Sequence, residues 1–225
     1  MNTKKHFWHD FFLISAHILL SLLIFIIIIS IIVFLSRKSL RQFKHMDLWV
    51  FDKVSRIENK ALTQFMLFIT FLGKHQFLIP ANLIVLLYFL FIRHHSWLSV
   101  QVAAISLSSL LLMIILKKLF RRKRPLEPLL HAVRGLSFPS GHAIMSVSFF
   151  GLLIYIINNT VENASLITAI TAALVVLIFL IGFSRIYLRV HYASDVLSGF
   201  IIGTSWLLIS IVILDKLEKI ITTSM

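Results

Sequence analysis

The chain has 225 residues, 59% hydrophobic and only 14% charged, which lies outside the usual range of soluble domains. Its 22 Lys and Arg against 9 Asp and Glu give a formal charge of +13, and the absence of cysteine excludes disulfides, thiolate catalysis and cysteine metal sites. The basic residues flank apolar runs long enough to cross a bilayer, so anionic lipid headgroups or an anionic interfacial substrate are the expected partners, and nucleic acid is not.

The N-terminus is short and polar, with Lys4, Lys5, His6, His9 and Asp10, and an apolar run follows over 13–35. That run is too long for a signal peptide, and Ser36-Arg37-Lys38 offers no small-residue cleavage site, so an uncleaved first span is expected. Residues 36–60 are mixed and basic, with Trp49 and Phe51, and 61–72 are apolar but too short to span. The segment 40–72 is therefore expected as short helices at the interface. Further spans are expected at 76–92, 97–116, 140–157, 165–183 and 196–214, with a short amphipathic tail. Pro80 and Asn82 fall in the first turns of the second span, and Arg93-His94-His95-Ser96 makes a tight turn after it. Gln101 and several serines suit the third span to facing other helices. Strand patterning and internal repeats are absent. The expected fold is all-α, a single domain over 1–225 built as an integral membrane six-helix bundle.

Six spans place the end of span three, the start of four, the end of five and the start of six on one membrane face. Polar groups at those four positions can converge. The first is Lys117-Lys118-Leu119-Phe120-Arg121-Arg122-Lys123-Arg124-Pro125, which by itself reads as a juxtamembrane basic patch. The second is Ser137-Phe138-Pro139-Ser140-Gly141-His142. Pro139 can set the start of a helix whose free N–H groups bind an anion, Gly141 lets an oxyanion approach closely, and Ser140 adds a hydroxyl. His142 stands at the rim as a proton donor. The third runs from Ser184 to Asp195 and contains Arg185 and His191. If the chain is helical from Val190 onward, His191 and Asp195 share a face, and the carboxylate can fix the tautomer of the ring. Interfacial charge is the other reading of that spacing.

These stretches resemble the three-part signature of the type 2 phosphatidic acid phosphatase superfamily, which includes glucose-6-phosphatase and the vanadium haloperoxidases. Lys117 with Arg124-Pro125 fits the first part, Pro139 to His142 the second, and Ser184-Arg185, His191 and Asp195 the third. The signature covers 117–195 without a departure, and the layout looks like the small bacterial lipid phosphatases acting on phosphatidylglycerophosphate, phosphatidic acid or undecaprenyl pyrophosphate. The resemblance implies that His191 is a nucleophile forming a phosphohistidine, oriented by Asp195, with His142 as acid and then base. It implies that Lys117, Arg124, Ser140, Gly141 and Arg185 hold the phosphoryl oxygens. No cluster has metal-ligand spacing, so catalysis without a metal or other cofactor is expected. The remaining histidines read as interfacial or structural. His131 lies beside the site in sequence, Arg134 is ambiguous, and Arg121, Arg122 and Lys123 are expected to attract anionic lipid.

The resemblance also implies a site facing the periplasm or exterior of a bacterial cell membrane. Under that topology Lys4, Lys5, Arg93, Lys216 and Lys219 lie inside and the other seventeen Lys and Arg outside, against the positive-inside rule. Amphipathic helices over 36–75 and a substrate-serving cluster at 117–124 account for the excess. Two other readings of the same chain are a lipid phosphotransferase, as in lipid A modification, and a non-catalytic lipid transporter. An intact His142, His191 and Asp195 disfavour the latter. The sequence leaves the oligomeric state open.

Overall fold

The computed structural model describes residues 23, 25–27, 30, 43, 45–125, 129 and 135–224. The expected first span, 13–35, lies almost wholly outside them, as do His131 and Arg134. The described residues are helical with no strand. They form α1 (45–55), α2 (Lys60–Leu72), α3 (His75–Leu87), α4 (Ser96–Phe120), α5 (Gly141–Thr160), α6 (Ala164–Tyr187) and α7 (Ala193–Ser224).

Local chemistry sets most helix ends. Asn59 caps α2 by accepting from the Leu62 N–H at 2.9 Å, and Asn163 caps α6 through Leu166 N–H at 3.0 Å. Helix α4 ends where Arg121 turns left-handed (φ 49°) and its N–H bonds the Lys117 carbonyl. Helix α3 carries Pro80 inside it and runs into a π-helical turn, Tyr88–Ile92, before the tight turn at His94 (φ 51°). The last helix differs most from expectation. The predicted sixth span and its tail are one continuous helix, which begins at Ala193 because Asp195 reaches back to accept the Tyr192 N–H at 2.9 Å.

Five helices among the described residues are long and apolar enough to cross a membrane: His75–Ile92, Ser96–Phe120, Gly141–Thr160, Ala164–Tyr187 and Ala193–Thr222. Helix α5 is central, packed by α4, α6 and α7. Between α5 and α7 the backbones approach closely. A Cβ on Gly199 would meet the Ser140 carbonyl at 2.9 Å, and one on Gly203 would meet Ile144 Cα at 3.2 Å. These glycines, four residues apart, let dispersion packing replace the hydrophobic drive that lipid does not supply. Outward residues such as Ile84, Leu107, Phe179 and Leu208 are exposed and apolar, as a lipid-facing surface requires.

Helices α1 and α2 flank the end of α6. Val54 and Met66 bury against Tyr187, Leu188 and Val190. The Tyr187 hydroxyl lies 2.9 Å from Thr63 Oγ1 and accepts from the Asn59 N–H at 3.3 Å. The segment between the first two expected spans thus braces the turn that follows α6.

Candidate active site

Four chain segments meet at one end of the bundle. They are the end of α4 with residues 121–125, the start of α5, the end of α6, and the turn 188–192 leading into α7. His191 lies in that turn and not in a helix, which corrects the helical geometry expected from Val190 onward. Arg189 adopts a left-handed conformation (φ 54°), and the Val190 and His191 N–H groups both bond the Arg185 carbonyl. The turn still brings His191 Nδ1 to 3.5 Å from Asp195 Oδ2.

Asp195 is fully buried and held on both oxygens. Oδ2 accepts from the Ser137 hydroxyl and from the Tyr192 N–H, and Oδ1 accepts from Arg122 Nη1 at 2.7 Å. Ser137 Oγ also lies 3.4 Å from His191 Nδ1. The other ring nitrogen, Nε2, faces Arg124 Nη1 at 3.3 Å, and Arg124 is itself fixed by donating to the Val190 and Gly135 carbonyls. Burial pushes His191 down to about 4, with the Asp195 bond opposing that and Arg124 adding to it, so the ring is neutral at ordinary pH. Burial also lowers Arg124 from its usual value.

Around this pair lie polar atoms with no hydrogen-bond partner among the described residues: Ser140 Oγ, His142 Nε2 and Arg185 Nε, each buried. Arg185 is only 2% exposed and is held by Nη1 donating to Thr70 Oγ1 of α2. The first N–H groups of α5 have no intrahelical acceptor, and Ser140, which precedes them, makes no side-chain cap to supply one. Lys117 Nζ donates to the Leu136 carbonyl at 2.8 Å. A Cβ at Gly141 would meet Met113 Sδ at 2.5 Å, so a larger residue there would push that side chain aside. Buried unpaired donors beside two arginines and a lysine form a place for an oxyanion.

The site opens into a cavity of about 540 Å³. Lys117, Arg124, Gly141, His142, Arg185 and His191 line one part of it. The rest is walled by apolar side chains of α3 and α4, among them Leu78, Leu83, Leu107 and Leu110. An anion at one end and a hydrocarbon at the other fit this shape.

The sequence model of the PAP2 superfamily matches residues 97–219. This chain belongs to that superfamily. It is 31% identical over 152 residues to phosphatidylglycerophosphatase B of Bacillus subtilis, covering 65% of this chain and 72% of the relative. Its fold is similar to the crystal structure of the first transmembrane PAP2 type phosphatidylglycerolphosphate phosphatase from B. subtilis. That match has a TM-score of 0.70 at 24% identity, over 86% of this chain and 93% of the other. It also resembles Aquifex aeolicus LpxE, with a TM-score of 0.54 at 28% identity, over 73% and 93% of the two chains. The protein is a multi-pass membrane member of the PAP2 superfamily.

All eight residues singled out in the sequence lie at this site: six line the cavity, and Ser140 and Asp195 are buried beside it. Arg122 is a correction. Expected to attract anionic lipid, it turns inward to Asp195 and to Asp47 Oδ2, both at 2.7 Å. The left-handed Arg121 breaks the helical register, so side-chain directions after Phe120 do not follow from helical spacing. Asp47, Thr70 and the role of Ser137 were not apparent in the sequence. Asp47 and Thr70 lie outside the matched region, and their partners are distant in the chain.

Proposed function

We propose that this PAP2 protein is a lipid phosphatase that hydrolyses a phosphomonoester or pyrophosphate of a membrane lipid through a phosphohistidine. The observation that carries this is the set of buried polar atoms left unpaired among the described residues, Ser140 Oγ, His142 Nε2 and Arg185 Nε, gathered with His191 at the head of a cavity whose far wall is apolar. The 31% identical relative makes phosphatidylglycerophosphate the first substrate to test. Phosphatidic acid and undecaprenyl pyrophosphate share the same chemistry.

In this reading Nε2 of neutral His191 attacks phosphorus in line, and a nitrogen–phosphorus bond forms as the ester or anhydride bond breaks. Asp195 holds Nδ1 and stabilises the charged ring. His142 gives a proton to the departing oxygen, then takes one from the water that attacks the phosphohistidine and frees His191. Lys117, Arg124, Arg185, Ser140 and the Gly141 N–H hold the phosphoryl oxygens and stabilise the charge of the transition state. That concentration of donors does electrostatically what a divalent ion does elsewhere, so the reaction proceeds in chelator. The first span completes a six-span bundle, α1 and α2 lie at the interface, and the site faces the periplasm or exterior.

Phosphate release by the purified protein from phosphatidylglycerophosphate, phosphatidic acid, undecaprenyl pyrophosphate and lipid A phosphates tests the proposal. Release from at least one, undiminished by chelator and abolished in His191→Ala, is expected. Release from none, or activity that requires magnesium, overturns it.

A further inference from the structure

Two residues outside the superfamily signature, Asp47 and Arg122, extend it into a run: Asp47, Arg122, Asp195, then His191. Asp47 Oδ2 and Asp195 Oδ1 each accept from a different guanidinium nitrogen of Arg122 at 2.7 Å. Both carboxylates are fully buried, and the Arg122 side chain is only 15% exposed. Asp47 also accepts from the Ser194 N–H at 2.9 Å and its hydroxyl at 2.8 Å, and Arg122 Nη1 donates to the same hydroxyl at 2.7 Å. The Arg122 guanidinium stacks 4.1 Å from the ring centroid of Tyr192, whose other neighbour is Phe51 of α1 at 5.6 Å. A buried, forked arginine between two carboxylates is a rigid element, and each of its bonds is charge-assisted.

We infer that Arg122 and Asp47 are positioning residues that set the effective charge of Asp195 and so the basicity of His191. This rests on the proposed nucleophilic role of His191. Arg122 neutralises part of the Asp195 charge, so the carboxylate orients the ring without drawing a proton onto it. Asp47 tempers Arg122 in turn and ties it to α1. The chain of charges predicts opposite effects. Losing Arg122 leaves Asp195 more strongly negative toward His191, which favours the imidazolium. Losing the Asp47 charge leaves Arg122 more strongly positive, which disfavours it. The other groups at the ring are Arg124 after α4, Lys117 of α4, His142 of α5, Arg185 of α6 and the Ser137 hydroxyl, and both substitutions leave these in place. A merely structural role for the network predicts no such opposition of sign.

The test is an NMR titration of full-length protein in detergent carrying ¹⁵N-labelled histidine, with the His191 signal assigned by its loss in His191→Ala. In Arg122→Met the ring protonates at a pH higher than in the wild type by about 1 unit. In Asp47→Asn it stays neutral to a lower pH than in the wild type. Arg122→Lys keeps the charge but loses the fork. Its titration stays near the wild type, while its rate of phosphoenzyme formation falls roughly 10- to 100-fold, less than the ~10⁴ of losing an orienting carboxylate. Shifts of the same sign in Arg122→Met and Asp47→Asn, or no shift in either, overturn the inference. So does an Arg122→Lys whose ring protonates about 1 unit above the wild type, a reading that stands even should the methionine variant fail to fold. The titration does not require turnover, so loss of phosphatase activity in the wild type would sink the proposed function and leave this measurement readable.

Discussion

Helix α7 carries two aspartates, Asp195 in its first turn and Asp215 twenty residues on, and their surroundings differ in kind. Asp215 accepts from the Tyr155 hydroxyl at 2.8 and 2.9 Å and from Gln101 Nε2 at 2.8 Å. Its partners are neutral side chains of α4 and α5, none of the three lines the cavity, and the one atom left over, Gln101 Oε1, is an acceptor. Asp195 is equally well bonded, but beyond its histidine stand unpaired donors and cations facing open volume. A knot that only joins helices uses its polar groups on itself. A site for an anion keeps donors in reserve, and the difference between the two ends of α7 is where those spare donors point.

Substitutions at the two ends should therefore separate sharply. The largest loss is expected in His191→Ala, on the order of 10⁶ in turnover, with no acid-labile phosphoenzyme detected by rapid quench. Asp195→Asn should lose on the order of 10² to 10⁴ while remaining folded by circular dichroism. Phosphoenzyme in His191→Ala would place the nucleophile elsewhere.

Next comes His142→Ala, which should slow phosphoenzyme formation by roughly 10² to 10⁴ from a lipid phosphate. An aryl phosphate, whose departing oxide needs little protonation, should be affected much less. The first step must be read by rapid quench, since His142 also serves the second. Equal losses for both substrates would remove His142 from the role of acid.

Smaller again is the effect of Arg185→Ala on inhibition by vanadate, a mimic of the five-coordinate transition state. The inhibition constant should rise roughly 10- to 100-fold, as loss of a hydrogen-bonded charge implies. Equal potency would mean that the anion rests away from Arg185. At the other end, Tyr155→Phe should leave phosphate release per folded molecule unchanged and cost only about 1 kcal/mol of stability, read from thermal unfolding in detergent. A loss of turnover there would erase the contrast between the two ends.

The site was legible in the sequence wherever chemistry and spacing coincide locally. Pro139 to His142 and Arg185 to Asp195 announce an anion-binding helix start and a histidine with a carboxylate. The five later spans were legible from apolar length, though α4 runs a turn beyond the expected 116 and α7 absorbs the tail. What stayed hidden depends on contacts across the chain. Arg122 looked like its neighbours Arg121 and Lys123, and only the left-handed residue at 121 decides which of them turns inward. Asp47 gave no local sign, because its partners, Arg122 and Ser194, are 75 and 147 residues away. Thr70, in a short apolar helix, looked like filler and instead holds Arg185.

The twenty residues that separate Asp195 from Asp215 have a geometric meaning of their own. At about 1.5 Å per residue they are roughly 30 Å apart along one unbroken helix, which is the thickness of a bilayer's hydrocarbon core. Under the proposed function, an α7 that crosses along the bilayer normal sets the two aspartates at the core's two borders and so fixes the depth of the chemistry. Under the proposed function, a phosphate held beside Asp195 sits at the headgroup level of a single leaflet. Substrate already in that leaflet can be dephosphorylated without leaving the bilayer, whereas the same lipid in the opposite leaflet is out of reach until something carries it across.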